Sequence, residues 1–89
     1  MKLFRVEYTK SALKQLKKLD KQTAFFILSY IEKNLVDCDN PRLHGKSLQG
    51  SMSEKWRYRI GDYRILAKIE EDRVVILIVE VGHRKDIYG

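Results

Sequence analysis

From Glu54 to Val81 the chain is written in strand pattern, and no other stretch limits its possible folds so tightly. Glu54–Ile60, Tyr63–Ile69 and Val74–Val81 read as three strands, joined by Gly61-Asp62 and by Glu70 to Arg73. Gly-Asp between two alternating segments signals a tight hairpin, so the three form a meander. Almost every side chain of the third strand is β-branched or leucine. That composition predicts a central strand, covered on at least one face and flanked on both edges. The two-residue period sends Trp56, Tyr58 and Ile60 to one face and Lys55, Arg57 and Arg59 to the other. Trp56, Tyr58, Ile65 and Val79 are therefore expected to face the interior, with Arg57, Arg59 and Arg64 facing away. For one strand alone, an ordinary solvated face explains such cations. The added Arg64 and the His83/Arg84/Tyr88 cluster point instead to a phosphate platform.

Upstream, Leu3 to Tyr8 alternates so that Phe4, Val6 and Tyr8 turn inward along a further strand. Thr9 or Ser11 can cap a helix with Leu13, Leu16 and Leu19 on one side and Lys10, Lys14, Lys17 and Lys18 elsewhere. Asp20 punctuates the chain before a second helix. There Ala24, Ile27, Leu28, Ile31 and Leu35 form the apolar stripe, and Phe26 and Tyr30 form its rim or receive a partner protein. Cys38 to Ser53 holds the only proline and two glycines, so it reads as a long connection that crosses the fold. The order is β-α-α-β-β-β, an α+β domain with both helices on one face of an antiparallel sheet. Counting reversals of direction lays the first strand antiparallel beside the last. The face without helices is left for function.

A chain of 89 residues supplies one modest core, so residues 1–89 are read as a single domain. Eighteen Lys and Arg against twelve Asp and Glu give +6, an excess that favours polyanionic partners. The single cysteine, Cys38, excludes an internal disulfide, and two scattered histidines provide no zinc-ligand spacing. No cofactor is expected. The longest apolar run, Val74 to Val79, is too short to span a bilayer, and Met1 to Tyr8 reads as strand rather than as a leader. The cytoplasm is the expected location.

A guanidinium stays charged and offers planar paired donors, so Arg57, Arg59, Arg64 and Arg84 can clamp phosphate oxygens or offset charge on a phosphorane-like transition state. They cannot readily take a proton. A ribonuclease working without metal must deprotonate a ribose 2′-hydroxyl and protonate the departing 5′-oxygen, tasks each worth roughly 10²–10⁴ in rate. The titratable candidates are His83, Tyr88 and, less directly, Lys55 or Lys85. His83 begins near a pKa of about 6.5 and Tyr88 near about 10, so His83 is the better match. His44 reads as a loop residue.

These residues carry a family resemblance. Lys46-Ser-Leu-Gln-Gly50, then Trp56-Arg-Tyr-Arg-Ile-Gly-Asp-Tyr-Arg64, then Val79-Glu-Val-Gly-His-Arg-Lys-Asp-Ile-Tyr88, resemble the RelE-type toxins of the RelE/ParE toxin–antitoxin superfamily. The match spans essentially the whole chain. It implies a ribosome-dependent, metal-independent mRNA endoribonuclease that arrests translation and is held inactive by a cognate RelB-like antitoxin. By motif position it makes Arg57, Arg59, Arg64, Arg84 and Tyr88 members of the catalytic set, with Tyr88 able to stack on a base. Lys46, Lys55 and Lys85 are the expected substrate-binding residues.

Some RelE-like toxins have lysines at the paired second-strand positions, where this chain has Arg57 and Arg59. The general-base role is therefore expected to pass to His83, kept unprotonated by surrounding cations. A substantial C-terminal helix of the kind seen in some relatives is expected to be absent, leaving the antitoxin the sheet face and the helices. Two other readings stand beside this one. ParE-type toxins share the architecture but poison DNA gyrase by protein contact, and a non-catalytic RNA-binding module would need only the basic face.

Overall fold

The computed structural model describes residues 2–48 and 55–87. Its elements are β1 (Arg5–Tyr8), α1 (Lys10–Lys18), α2 (Lys21–Asn34), β2 (Lys46–Ser47), β3 (Trp56–Ile60), β4 (Tyr63–Glu70), β5 (Val75–His83) and α3 (Arg84–Ile87). The strands form one sheet in the order β1-β5-β4-β3-β2. The apolar β5 lies between β1 and β4, the central position that its composition predicts. Thr9 caps α1 by accepting from the Ala12 amide at 3.1 Å. Asp20 does the same for α2, accepting from the Thr23 amide at 3.1 Å and its hydroxyl at 2.6 Å. Those bonds to Thr23 hold the Asp20 carboxyl below its ordinary pKa range.

The α+β architecture is as expected, with both helices preceding the β3–β5 meander, but the sheet is mixed. β1 runs parallel to β5, with Arg5 opposite Val75 and Tyr8 opposite Ile78. Counting reversals fails here because a helix pair and a long connection separate β1 from β3. A crossover of that length can return the chain in either direction, and parallel pairing requires one of a dozen residues or more.

The core joins Ala12 and Leu16 of α1, Ile27, Ile31 and Leu35 from α2 and its end, and Tyr58, Ile60, Ile65, Ala67, Ile76, Ile78 and Val81 of the sheet. Three expected core positions differ. Leu13 and Leu28 are 45% and 41% exposed. Each i+3 step falls about 60° short of a full turn, so Leu13-Leu16-Leu19 drifts round the helix while Ala12, Leu16 and Leu19 stay together. Val79 is half-buried because the ladder slips there: Leu66 faces Glu80 and Ala67 faces Ile78, leaving Val79 as the extra residue of a bulge. The expected rim pair also divides, since Phe26 is 58% exposed while Tyr30 packs against the core.

Thr9 stitches three elements together. Besides capping α1, its hydroxyl donates to the Val79 carbonyl at 3.3 Å and its amide to the Ile78 carbonyl at 3.0 Å. Thr9→Ala should therefore destabilise the fold by about 1–2 kcal/mol, read as a lower urea midpoint at unchanged m-value.

The connection between α2 and β2 is pinned to β3. Buried Tyr58 donates its hydroxyl to the Pro41 carbonyl at 2.6 Å, and burial pushes its phenol pKa up. The Trp56 indole donates to the His44 carbonyl at 2.6 Å, while the Arg42 guanidinium lies 5.9 Å from the centre of the indole ring. Among the described residues, no helix is long and apolar enough to cross a membrane.

Candidate active site

Cross-strand partners share a face, so strand register builds the site. Lys46 pairs with Arg57, Arg57 with Leu66, and Leu66 with Glu80, forming one row across β2 to β5. One period on, Arg59 pairs with Arg64 and Arg64 with Gly82. Neighbouring positions Tyr58, Ile65 and Val81 point the other way, into the core beneath the helices. Lys46, Arg57, Arg59 and Arg64 thus gather on the face without helices, and Gly82 sets no side chain opposite Arg64.

Arg64 is only 6% exposed. Its guanidinium bends toward the β3–β4 turn, donating to the Gly61 and Tyr63 carbonyls at 3.1 and 3.0 Å. Gly61 has φ +59° at the first central position of that turn, a conformation glycine adopts without strain. Among the described residues, no carboxylate forms an ion pair with Arg64, and its buried Nε has no hydrogen-bond partner. Ion pairs between described residues join Arg5 and Arg73 to Glu7, Arg73 to Glu70, and Arg42 to Glu71. A buried cation without a counterion is costly, and an anion arriving at the face would relieve that cost.

His83 does not lie in the arginine rows. It pairs with Tyr63, with the two rings edge to face at 5.4 Å, and Tyr63 packs against the core. The imidazole lines a cavity of about 300 Å³ beside α1, shared with Gln15, Lys18, Leu19, Tyr63 and Glu80. Its Nδ1 accepts the Lys85 amide at 3.2 Å, which places the proton of a neutral ring on Nε2. To accept a proton through Nε2, the ring must release this long bond. The β3–β4 turn links Arg64 to the start of α3: the Gly61 carbonyl accepts from the Arg64 guanidinium, and the adjacent Asp62 carbonyl accepts the Arg84 amide at 2.9 Å.

The remaining candidates are more dispersed. Lys55 is half-buried just before β3, and its carbonyl accepts the Leu48 amide at 3.2 Å. Arg84 and Lys85 are exposed on α3, and Tyr88 lies outside the described residues. His44 is a loop residue whose ring stands edge-on to Tyr30 at 6.3 Å. Sequence reasoning passed over Glu80, a carboxylate in the Arg57 row, although it stands one strand period before Gly82. It also passed over Gly45, whose φ of +83° leads the chain into β2.

Residues 6–88 match the family described as the ParE toxin of the type II toxin–antitoxin system parDE. The chain belongs to the RelE/ParE toxin superfamily. Toxin RelG of Mycobacterium tuberculosis is 28% identical over 85 residues, which cover 96% of this chain and 95% of that one. Among solved structures, the RelBE2 toxin–antitoxin complex of the same organism gives a TM-score of 0.84 at 26% identity, covering 94% of each chain. The isolated Escherichia coli RelE toxin gives 0.73 at 21% identity over 96% of this chain and 90% of that one, a likeness of fold. Within the RelE/ParE frame, this chain's second long strand brings arginine at both Arg57 and Arg59, on the face opposite the helices.

Proposed function

We propose that this RelE/ParE toxin is a ribosome-dependent endoribonuclease that cleaves mRNA by attack of a ribose 2′-hydroxyl on the adjacent phosphate. The observation that carries the reading is Arg64, buried and without a carboxylate partner among the described residues, beside Arg59 on the open face. Arg57, Arg59 and Arg64 would hold the scissile phosphate and offset the charge that develops on it. Lys46, Lys55 and Lys85 would bind flanking phosphates, and Arg84 would act from the rim. Proton transfer falls to His83 and Tyr88, with the His83 ring leaving the Lys85 amide as substrate arrives. The partner that silences the site is an antitoxin of the RelB kind, as in the M. tuberculosis RelBE2 complex.

Gyrase poisoning is the second reading, favoured by the ParE family match. Brief induction in cells, followed by mapping of mRNA ends, separates the two. In-frame cuts confined to translated messages support the ribonuclease, and DNA damage without such cuts supports the gyrase poison. On programmed ribosomes, His83→Gln should lower the single-turnover rate by about 10²-fold at unchanged affinity. A rate equal to wild type at saturation would move proton transfer to another group.

A further inference from the structure

Helix α1 carries Lys10, Lys14, Lys17 and Lys18, all exposed, and Lys21 follows at the start of α2. At 100° per residue the four lysines of α1 fall within an arc of about 100°. Buried Ala12 and Leu16 lie on the opposite side. Lys10, Lys14 and Lys17 therefore point away from the sheet, with Lys18 at the stripe's edge lining the cavity beside His83, while the arginine rows occupy the sheet's other face. A single strand bound along those rows would not reach it.

Lys17 and Lys18 suit the negative end of the α1 dipole, but the stripe as a whole gives the fold little. α1 contains no acidic residue at all. Lys10/Lys14 and Lys14/Lys18 are like charges at i,i+4, which repel, and Lys10 stands at the positive end of the helix dipole. A face that only kept the helix in water would intersperse glutamates at the same spacings. Among the described residues, none of these lysines enters an ion pair, every one of which is made by an arginine. A polyanion would turn this self-repulsion into attraction.

The stripe also restricts the kind of polyanion. No aromatic residue stands among the α1 lysines to stack unpaired bases; the exposed Phe25 and Phe26 lie farther on, in α2. Lysines are hydrated point charges that contact phosphate without reading base edges. From Lys10 to Lys18 the helix rises about 12 Å, enough to follow the backbone over a few base pairs of an A-form duplex. We propose that the α1 lysine stripe binds the phosphate backbone of a structured RNA helix, as a second RNA surface opposite the arginine face. The inference rests on the endoribonuclease reading, in which that helix belongs to the ribosome.

The test uses the full chain and a Lys10→Gln/Lys14→Gln/Lys17→Gln variant. Binding to purified ribosomes and to a mixed-sequence RNA duplex is measured across a salt series, alongside cleavage at saturating ribosomes. The variant should bind ribosomes at least about 10-fold more weakly, and its slope of log affinity against log salt should be shallower by about two. Its saturated cleavage rate should match wild type, and Lys→Arg at the same positions should restore binding. Unchanged affinity and slope in the variant would overturn the stripe even if cleavage proceeds. No binding of the wild-type chain to either RNA would overturn it as well. Lysine-dependent ribosome binding by a wild-type chain that cuts nothing would leave the stripe standing and defeat the endoribonuclease reading.

Discussion

Arg64→Met is expected to reduce message cleavage by about 10²–10³-fold while leaving the melting temperature unchanged or raised. The two effects part because one feature drives both. Arg64 is buried with no carboxylate partner among the described residues, so folding must desolvate much of a charge with only two carbonyls to receive it. Methionine is unbranched and apolar, fills a similar volume, and removes that desolvation. The Gly61 and Tyr63 carbonyls it abandons flank a surface turn, where water can replace the lost donors. Cleavage has no such substitute, because stabilisation of a developing phosphorane depends on a fixed charge held out of water. Thermal melts and single-turnover assays on programmed ribosomes read the two effects separately. A stability loss of about 3 kcal/mol or more would mean that Arg64 holds the hairpin together. Retained cleavage would remove it from the site.

The strongest local rules were the ones that could be read ahead of the structure. Gly61-Asp62 and the two-residue period fixed the hairpin and placed Arg57, Arg59 and Arg64 on the face away from Tyr58 and Ile65, as the register has it. The direction of β1 was not legible, because nothing local in Arg5–Tyr8 records how a distant β5 approaches it. β2 escaped because Lys46–Ser47 is too short to show a period. Ala12 was overlooked in favour of larger Leu13, yet its small side chain lets α1 lie close on the sheet, and it is fully buried. His83 was grouped with the arginines through its neighbour Arg84. Strand pairing instead stands it against Tyr63, and the bulge at Val79 lets Ile76, Ile78, Val81 and His83 all turn toward the helices.

The largest stability loss is expected at Gly45, a loop residue distant in sequence from every proposed catalytic group. A Cβ there would lie 2.2 Å from the Arg57 carbonyl oxygen and 2.8 Å from the Trp56 indole nitrogen, at a φ of +83°. The first contact is to the backbone of β3, so it cannot be relieved by a rotamer change. The second displaces the bond by which Trp56 holds the His44 carbonyl. Gly61 isolates the conformational part: it also has positive φ, but an added Cβ meets only the Phe26 ring, at 3.8 Å. Gly61→Ala should cost about 1–2 kcal/mol, the strain of a left-handed alanine. Gly45→Ala should cost about 3 kcal/mol or more, lowering the melting temperature by about 12–24 °C. Because Gly45 leads directly into β2, the same change should detach Lys46 from Arg57 and break the first cationic row, weakening ribosome binding even where the chain remains folded. If Gly45→Ala melts no lower than Gly61→Ala, the connection does not press on β3, and Lys46 owes its place beside Arg57 to something else.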